Sequence, residues 1–238
     1  ENQIAARMLR MDVNTLGYGS EPRLDAILTR AAISTPDRPA VIFQGRTWNY
    51  AEVLDRALKL AGALAALGVR KGDRVAFWIG NRAEFAEILF GVSMLGALAS
   101  PLDHWWTWRD AYAALTQIRP KVLIVGTSQA AAAAGQCDQL QAAGIECVLC
   151  LDQCPAEKNF RSYAGQLAST SRLNSLTPVA LSDPAVVFFT SGSTGRSKGA
   201  VHTHGSLLAA ATTVALEFGV RDGERTLHFL PLFSSCME

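Results

Sequence analysis

The hydrophobic positions of this chain change period repeatedly, and each change marks an element. Pro22 stands where a first helical turn would start, and Leu24, Ile27, Leu28 and Ala31 form one apolar stripe behind it. The run AVIF at 40–43 reads as a short strand, QGRT as a turn, and Trp48 as the return leg of a small hairpin. Asn49 with Glu52 resembles a capping box. Val53, Ala57, Leu58, Ala61, Leu64 and Ala65 then repeat at helical spacing until Gly68 supplies a stop.

Gly72-Asp73 turns into RVAFWI, an almost wholly apolar run of the kind buried on both faces of a sheet. A helix is predicted over 83–95, and TWRD at 107–110 offers another capping box before a helix ending near Ile118. KVLIVG is the next buried strand, the alanine-rich segment after Ser128 a helix, and IECVLCLD the strand after that. Residues 152–183 are polar and mixed and read as an irregular connection with one short helix. AVVFFT is a further buried strand. Buried strands separated by helices predict an α/β fold: a mostly parallel sheet flanked by helices.

Composition narrows the function classes. Of 238 residues, 49% are hydrophobic, enough for a sizeable core, and 22 basic against 21 acidic residues leave a net charge of +1. That balance gives no support to a nucleic-acid surface. The longest apolar run, 88–99, is too short and too rich in small residues for a membrane span, and ENQIAARMLR at the N-terminus lacks the apolar core of a signal peptide. A cytoplasmic protein without an integral membrane segment is therefore expected. Cys137, Cys147, Cys150 and Cys154 suggest zinc by spacing, but residues three apart in a strand face opposite sides, so Cys147 and Cys150 are not expected to share a metal. Trp105, Trp106 and Trp108 beside His104 offer a ligand platform, with packing of a loop onto the sheet as the weightier reading. His202 and His204 diverge if extended, and His228 in RTLHFL lies in an expected strand, more structural than catalytic.

After AVVFFT the pattern breaks into TSGSTGRSKG. In open α/β sheets ligands sit beyond the carboxyl ends of strands, where this loop begins. Gly192, Gly195 and Gly199 permit positive φ and let backbone N–H groups curl round concentrated negative charge. Ser191, Ser193 and Thr194 add hydroxyl donors, and Lys198 a mobile cation. These are parts for gripping a polyphosphate. The Walker spacing fails, because Ser197 stands where its second glycine should fall and Gly199 where its hydroxyl residue should follow the lysine. No G-x-G-x-x-G is present either.

TSGSTGRSKG resembles the signature loop of the adenylate-forming superfamily, which includes acyl-CoA synthetases, peptide-synthetase adenylation domains and luciferases. Ser197 replaces the usual proline. THGSL after the loop, the region from Thr47 to Phe85, and LGALASPLD resemble the family in the right order, closer to acyl-CoA synthetases. The final LPLFSSCME is similar to the next family motif, with Ser234 where histidine is usual.

The resemblance implies ATP, Mg²⁺ and coenzyme A as cofactors and a small-molecule carboxylic acid as substrate. The acid is activated as an acyl-adenylate with pyrophosphate release and then passed to a thiol. It implies nucleotide binding by Thr190, Ser191, Gly192, Ser193, Thr194, Gly195, Lys198 and Gly199, catalysis by Lys198 and Thr194, and an acyl pocket bordered by Phe233 and Ser234. It divides the chain into an N-terminal segment, 1–21, and a partial AMP-binding domain, 22–238. The domain is expected to be incomplete at its C-terminal end, and the initial Glu suggests trimming at the front. The competing readings are a non-catalytic phosphate-binding homologue and another adenylate-forming enzyme such as a peptide-synthetase adenylation domain.

Overall fold

The computed structural model describes residues 22–190 and 197–234. Helix α1 (Ala26–Ser34) leads to the hairpin β1 (Pro39–Phe43) and β2 (Arg46–Asn49), and then to the long helix α2 (Tyr50–Ala66). Next come β3 (Arg74–Trp78), α3 (Glu84–Met94), β4 (Leu98–Pro101), α4 (Trp108–Ile118), β5 (Val122–Val125), α5 (Thr127–Ala133), α6 (Cys137–Ala142) and β6 (Cys147–Cys150). The described chain continues through β7 (Phe160–Ser162), α7 (Tyr163–Ser169), β8 (Pro184–Thr190), β9 (Lys198–Thr203) and α8 (His204–Glu217).

Seven strands form one sheet in the order β7-β6-β5-β3-β4-β8-β9, all parallel to their neighbours except β8 and β9, which pair antiparallel. The expected mostly parallel α/β sheet is what forms. Alternate residues of each strand feed opposite cores. Val75 and Phe77 of β3 join α2, α3 and α7 on one face, while Ala76 and Trp78 join α4, α5 and α6 on the other. Cys147 belongs to the first core and Cys150 to the second, the opposed placement that strand geometry requires.

Local signals account for several of the boundaries. Both predicted capping boxes form: Asn49 Oδ1 accepts from the Glu52 N–H at 2.8 Å while Glu52 accepts from the Asn49 N–H, and Thr107 with Asp110 repeats the pattern. Gly68 and Gly72 adopt φ of +84° and +83°, ending α2 and opening β3.

Four expectations are corrected. The first helix starts at Ala26 rather than at Pro22, and its inward face carries Leu28, Thr29 and Ala32, leaving Ile27 44% exposed. Buried Thr29 satisfies its hydroxyl by donating to the Asp25 carbonyl at 3.0 Å. The alanine-rich segment is two short helices divided at Gly135 (φ +75°). The connection 152–183 contains β7, whose register with β6 runs from Val148–Phe160 to Cys150–Ser162. RTLHFL is not a strand, because these residues join no sheet and Leu227 and Phe229 are exposed.

Buried polar groups tie the helical layer together. Glu87 on α3, 3% exposed, accepts from the Arg56 guanidinium through both carboxylate oxygens and from the Tyr163 hydroxyl at 2.7 Å, linking α2, α3 and α7. Burial pushes the Glu87 carboxyl up, and Arg56 opposes the shift. Ahead of α1, Arg23 donates to Asp25 at 2.8 Å and to the carbonyls of Thr177 and Ser93, while the Ser93 hydroxyl donates to Asp25 at 2.8 Å.

Candidate functional site

Because β3, β4 and β8 are parallel neighbours, their carboxyl ends open onto one edge of the sheet. Three described segments meet near that edge: the end of β8 at Phe189–Thr190, the turn after Pro101 carrying His104–Trp106, and the segment 230–234. Of the candidate nucleotide-binding residues, Thr190, Lys198 and Gly199 are described. Ser191, Gly192, Ser193, Thr194 and Gly195, with Arg196, lie outside the described residues.

Two corrections apply to this loop. It joins two antiparallel strands, so Lys198 is the first residue of β9, an exposed position in register with Thr190. The Thr190 hydroxyl donates to the Lys198 carbonyl at 3.4 Å, closing the base of the loop. Gly199 lacks a positive φ. Its role is spatial, since a Cβ there would sit 2.9 Å from Val187 Cγ1 and 3.5 Å from Phe189 Cε1. From α4, the Gln117 side-chain amide donates to the Ser197 carbonyl at 3.2 Å, fixing the outgoing leg immediately before the lysine. Neither described leg carries a carboxylate, and no group of three His, Cys, Asp or Glu among the described residues could hold a metal ion.

The tryptophans divide their duties. Trp108 is packing: it stacks with Tyr112, lies 6.3 Å from Trp78, and donates its indole N–H to Gln139 at 2.8 Å. Trp106 meets Phe189 of β8 edge-on at 5.7 Å. Trp105, 70% exposed, lies 4.2 Å from the His104 ring and 5.8 Å from Phe233, which itself is 5.4 Å from His104. Phe233 is thus drawn to the carboxyl edge, with Ser234 next to it. Asn81, just past β3, holds this segment by donating to the Leu230 carbonyl and accepting from the Leu232 N–H, both at 2.9 Å. Asn81 and Gln117 were not anticipated from sequence. A polar residue in the turn that follows a buried strand was the available signal for Asn81, but Gln117 gave none.

The histidines separate as expected. His202 in β9 lies against Phe188, and His204 is fully buried at the start of α8, accepting from the Leu24 N–H at 3.2 Å through Nδ1. Burial lowers the His204 pKa, against the pull of Asp25. A cavity of about 590 Å³ lies between β1, α3 and residues 224–232, with Ile42, Phe90, Arg225 and His228 on its walls.

A family model described as AMP-binding enzyme matches residues 28–236. The chain belongs to that family. It is 34% identical over 217 residues to a feruloyl-CoA synthase of Amycolatopsis sp, covering 91% of this chain and 39% of that protein. It is 33% identical over 185 residues to the long-chain-fatty-acid–CoA ligase FadD13 of Mycobacterium tuberculosis, covering 78% of this chain and 35% of the relative. Among solved structures, a CoA ligase of Rhodopseudomonas palustris superposes with a TM-score of 0.80 at 27% identity, covering 89% of this chain and 52% of that one. An anthranilate CoA ligase in complex with anthranoyl-AMP shares the fold with a TM-score of 0.81 at 22% identity. The chain spans about two fifths of the length of the curated relatives it matches.

Proposed function

We propose that this chain contributes the phosphate-gripping half of an ATP-dependent acid–thiol ligase acting on a small-molecule carboxylic acid, with coenzyme A as the acceptor. The observation that carries the reading is the closure of the Gly- and Ser-rich hairpin by the Thr190–Lys198 pair at the carboxyl edge, beside the aromatic side chains that gather Phe233. A carboxylate oxygen forms a bond to the α-phosphorus of ATP while the bond to the bridging oxygen of pyrophosphate breaks. A thiol sulfur then attacks the acyl carbon and AMP leaves. Lys198 and the loop hydroxyls, Thr194 among them, offset the charge that gathers on the departing pyrophosphate. Ser197 and Gln117 hold the leg from which the lysine projects. Phe233 and Ser234 border the acid.

The second reading, a phosphate-binding homologue without catalysis, draws on Ser197 and Ser234, which depart from the family pattern. Carboxylate-dependent exchange of labelled pyrophosphate into ATP, followed by AMP release with coenzyme A, separates the two when run on the longest protein that carries this chain. Exchange with some member of a broad acid panel is expected. ATP binding with no exchange for any acid would favour the second reading. Residues 1–238 alone are expected to release no acid-dependent AMP, because acid and α-phosphate must be held within about 3.5 Å in aligned geometry. Activity of that piece would refute this division of labour.

A further inference from the structure

We infer that His104, Trp105 and Phe233 form an aromatic wall that seats the ring of a planar, aromatic carboxylic acid; this rests on the ligase reading above. Trp105 is 70% exposed, yet it sits on a pinned backbone. The Trp105 N–H donates to Asp103 Oδ1 at 2.8 Å, the Asp103 carbonyl accepts from the Trp78 indole at 2.8 Å, and the His104 carbonyl accepts from the Gln129 side chain at 3.1 Å. The His104 ring lies over Gly80, where an added Cβ would be 3.6 Å from its Cδ2, and its Nδ1 is buried without a partner. On the facing side, Asn81 fixes the backbone at Leu230 and Leu232, immediately before Phe233.

Large rings held rigid before binding lose little entropy on capturing a ligand. Their faces and edges favour a partner that itself has a π face, in offset or edge-on contact. The wall is also placed for the chemistry. Trp105 touches Phe233, and its neighbour Trp106 touches Phe189, the residue before Thr190 at the foot of the phosphate loop. An acid with its ring on Trp105 would sit one residue from the Trp106–Phe189 contact that leads to Thr190.

The test compares acids matched in size but not in aromaticity: benzoate with cyclohexanecarboxylate, and cinnamate with 3-cyclohexylpropanoate. kcat/KM for pyrophosphate exchange is measured for wild type, Trp105→Ala and Trp105→Phe in the longest protein that carries this chain. Wild type is expected to prefer the aromatic member of each pair by roughly two- to tenfold, the range of ring–ring contacts beyond area burial. Trp105→Ala should abolish that preference, Trp105→Phe should keep most of it, and KM for ATP should not move. An unchanged preference in Trp105→Ala, or a wild-type preference for the saturated acids, overturns the wall while leaving the ligase reading intact. Absence of exchange with every acid sinks the ligase reading instead. The wall is then judged by saturation-transfer NMR on the same pairs, where signal from the aromatic acids that survives Trp105→Ala overturns it.

Discussion

Gly199→Ala tests whether the hairpin base is set by close packing. The added Cβ would lie 2.9 Å from Val187 Cγ1, closer than such atoms approach in relaxed structures, and Val187 is only 4% exposed, so it has little freedom to swing away. Overpacking of this kind costs about 1–3 kcal/mol. Removing glycine from the unfolded chain returns about 0.4–1 kcal/mol. The net expectation is a loss of roughly 0.5–2 kcal/mol. Gly199 pairs with Phe189, one step from the Thr190–Lys198 pair, so the strain reaches the lysine. Urea titration gives the stability, and pyrophosphate exchange gives the effect on the loop. The decisive measurement is the double-mutant cycle with Val187→Ala. Truncating Val187 removes the methyl that clashes, so the double variant should be more stable than the sum of the single effects predicts, by about 1 kcal/mol or more. Additive effects, or a neutral Gly199→Ala, would refute the packing argument.

Lys198→Ala is expected to slow pyrophosphate exchange roughly ten- to hundredfold, the equivalent of a lost charge-assisted bond of about 1.5–3 kcal/mol, and an unchanged exchange rate would remove Lys198 from the catalytic set. Glu87→Ala strands the Arg56 guanidinium and the Tyr163 hydroxyl. Because Arg56 is 37% exposed and turns to water, the cost should be about 2–4 kcal/mol in urea titration rather than the full penalty of a buried pair, and less than 1 kcal/mol would contradict the network. His204 is held neutral by burial, so its folded pKa lies below 6.5. The unfolded chain then binds the proton first. Stability should be flat above about pH 6.5 and fall below it, at no more than about 1.4 kcal/mol per pH unit, until the lowered folded pKa is reached. His204→Gln should flatten that segment of the profile, and an identical pH dependence would exclude His204 as its source.

The sequence by itself determined what depends on neighbours in the chain. Asn49 with Glu52 and Thr107 with Asp110 cap their helices through contacts three residues apart, and Gly68 and Gly72 take a backbone conformation other residues resist. RVAFWI and KVLIVG read as buried strands because, behind Arg74 and Lys121, consecutive apolar residues leave no face to give to water. The signature loop was legible as a family motif from residue types alone, and the proposed phosphate chemistry rests on those types.

Tertiary structure decided the rest. Thr29 faces inward in place of Ile27 because Asp25 accepts its hydroxyl and the α1–α2 contact fixes the rotation of a short helix. The strand β7 exists because β6 offers an open edge, since FRS has no strand period of its own. Lys198 and Gly199 belong to β9 through pairing with β8, and Gly199 is small because of Val187, not because of its own φ. The meeting of Trp105 with Phe233, and of His204 with Leu24, joins residues well over a hundred positions apart. No local pattern encodes such pairs, because the energy that selects them comes from burial shared by both partners only after the sheet has assembled.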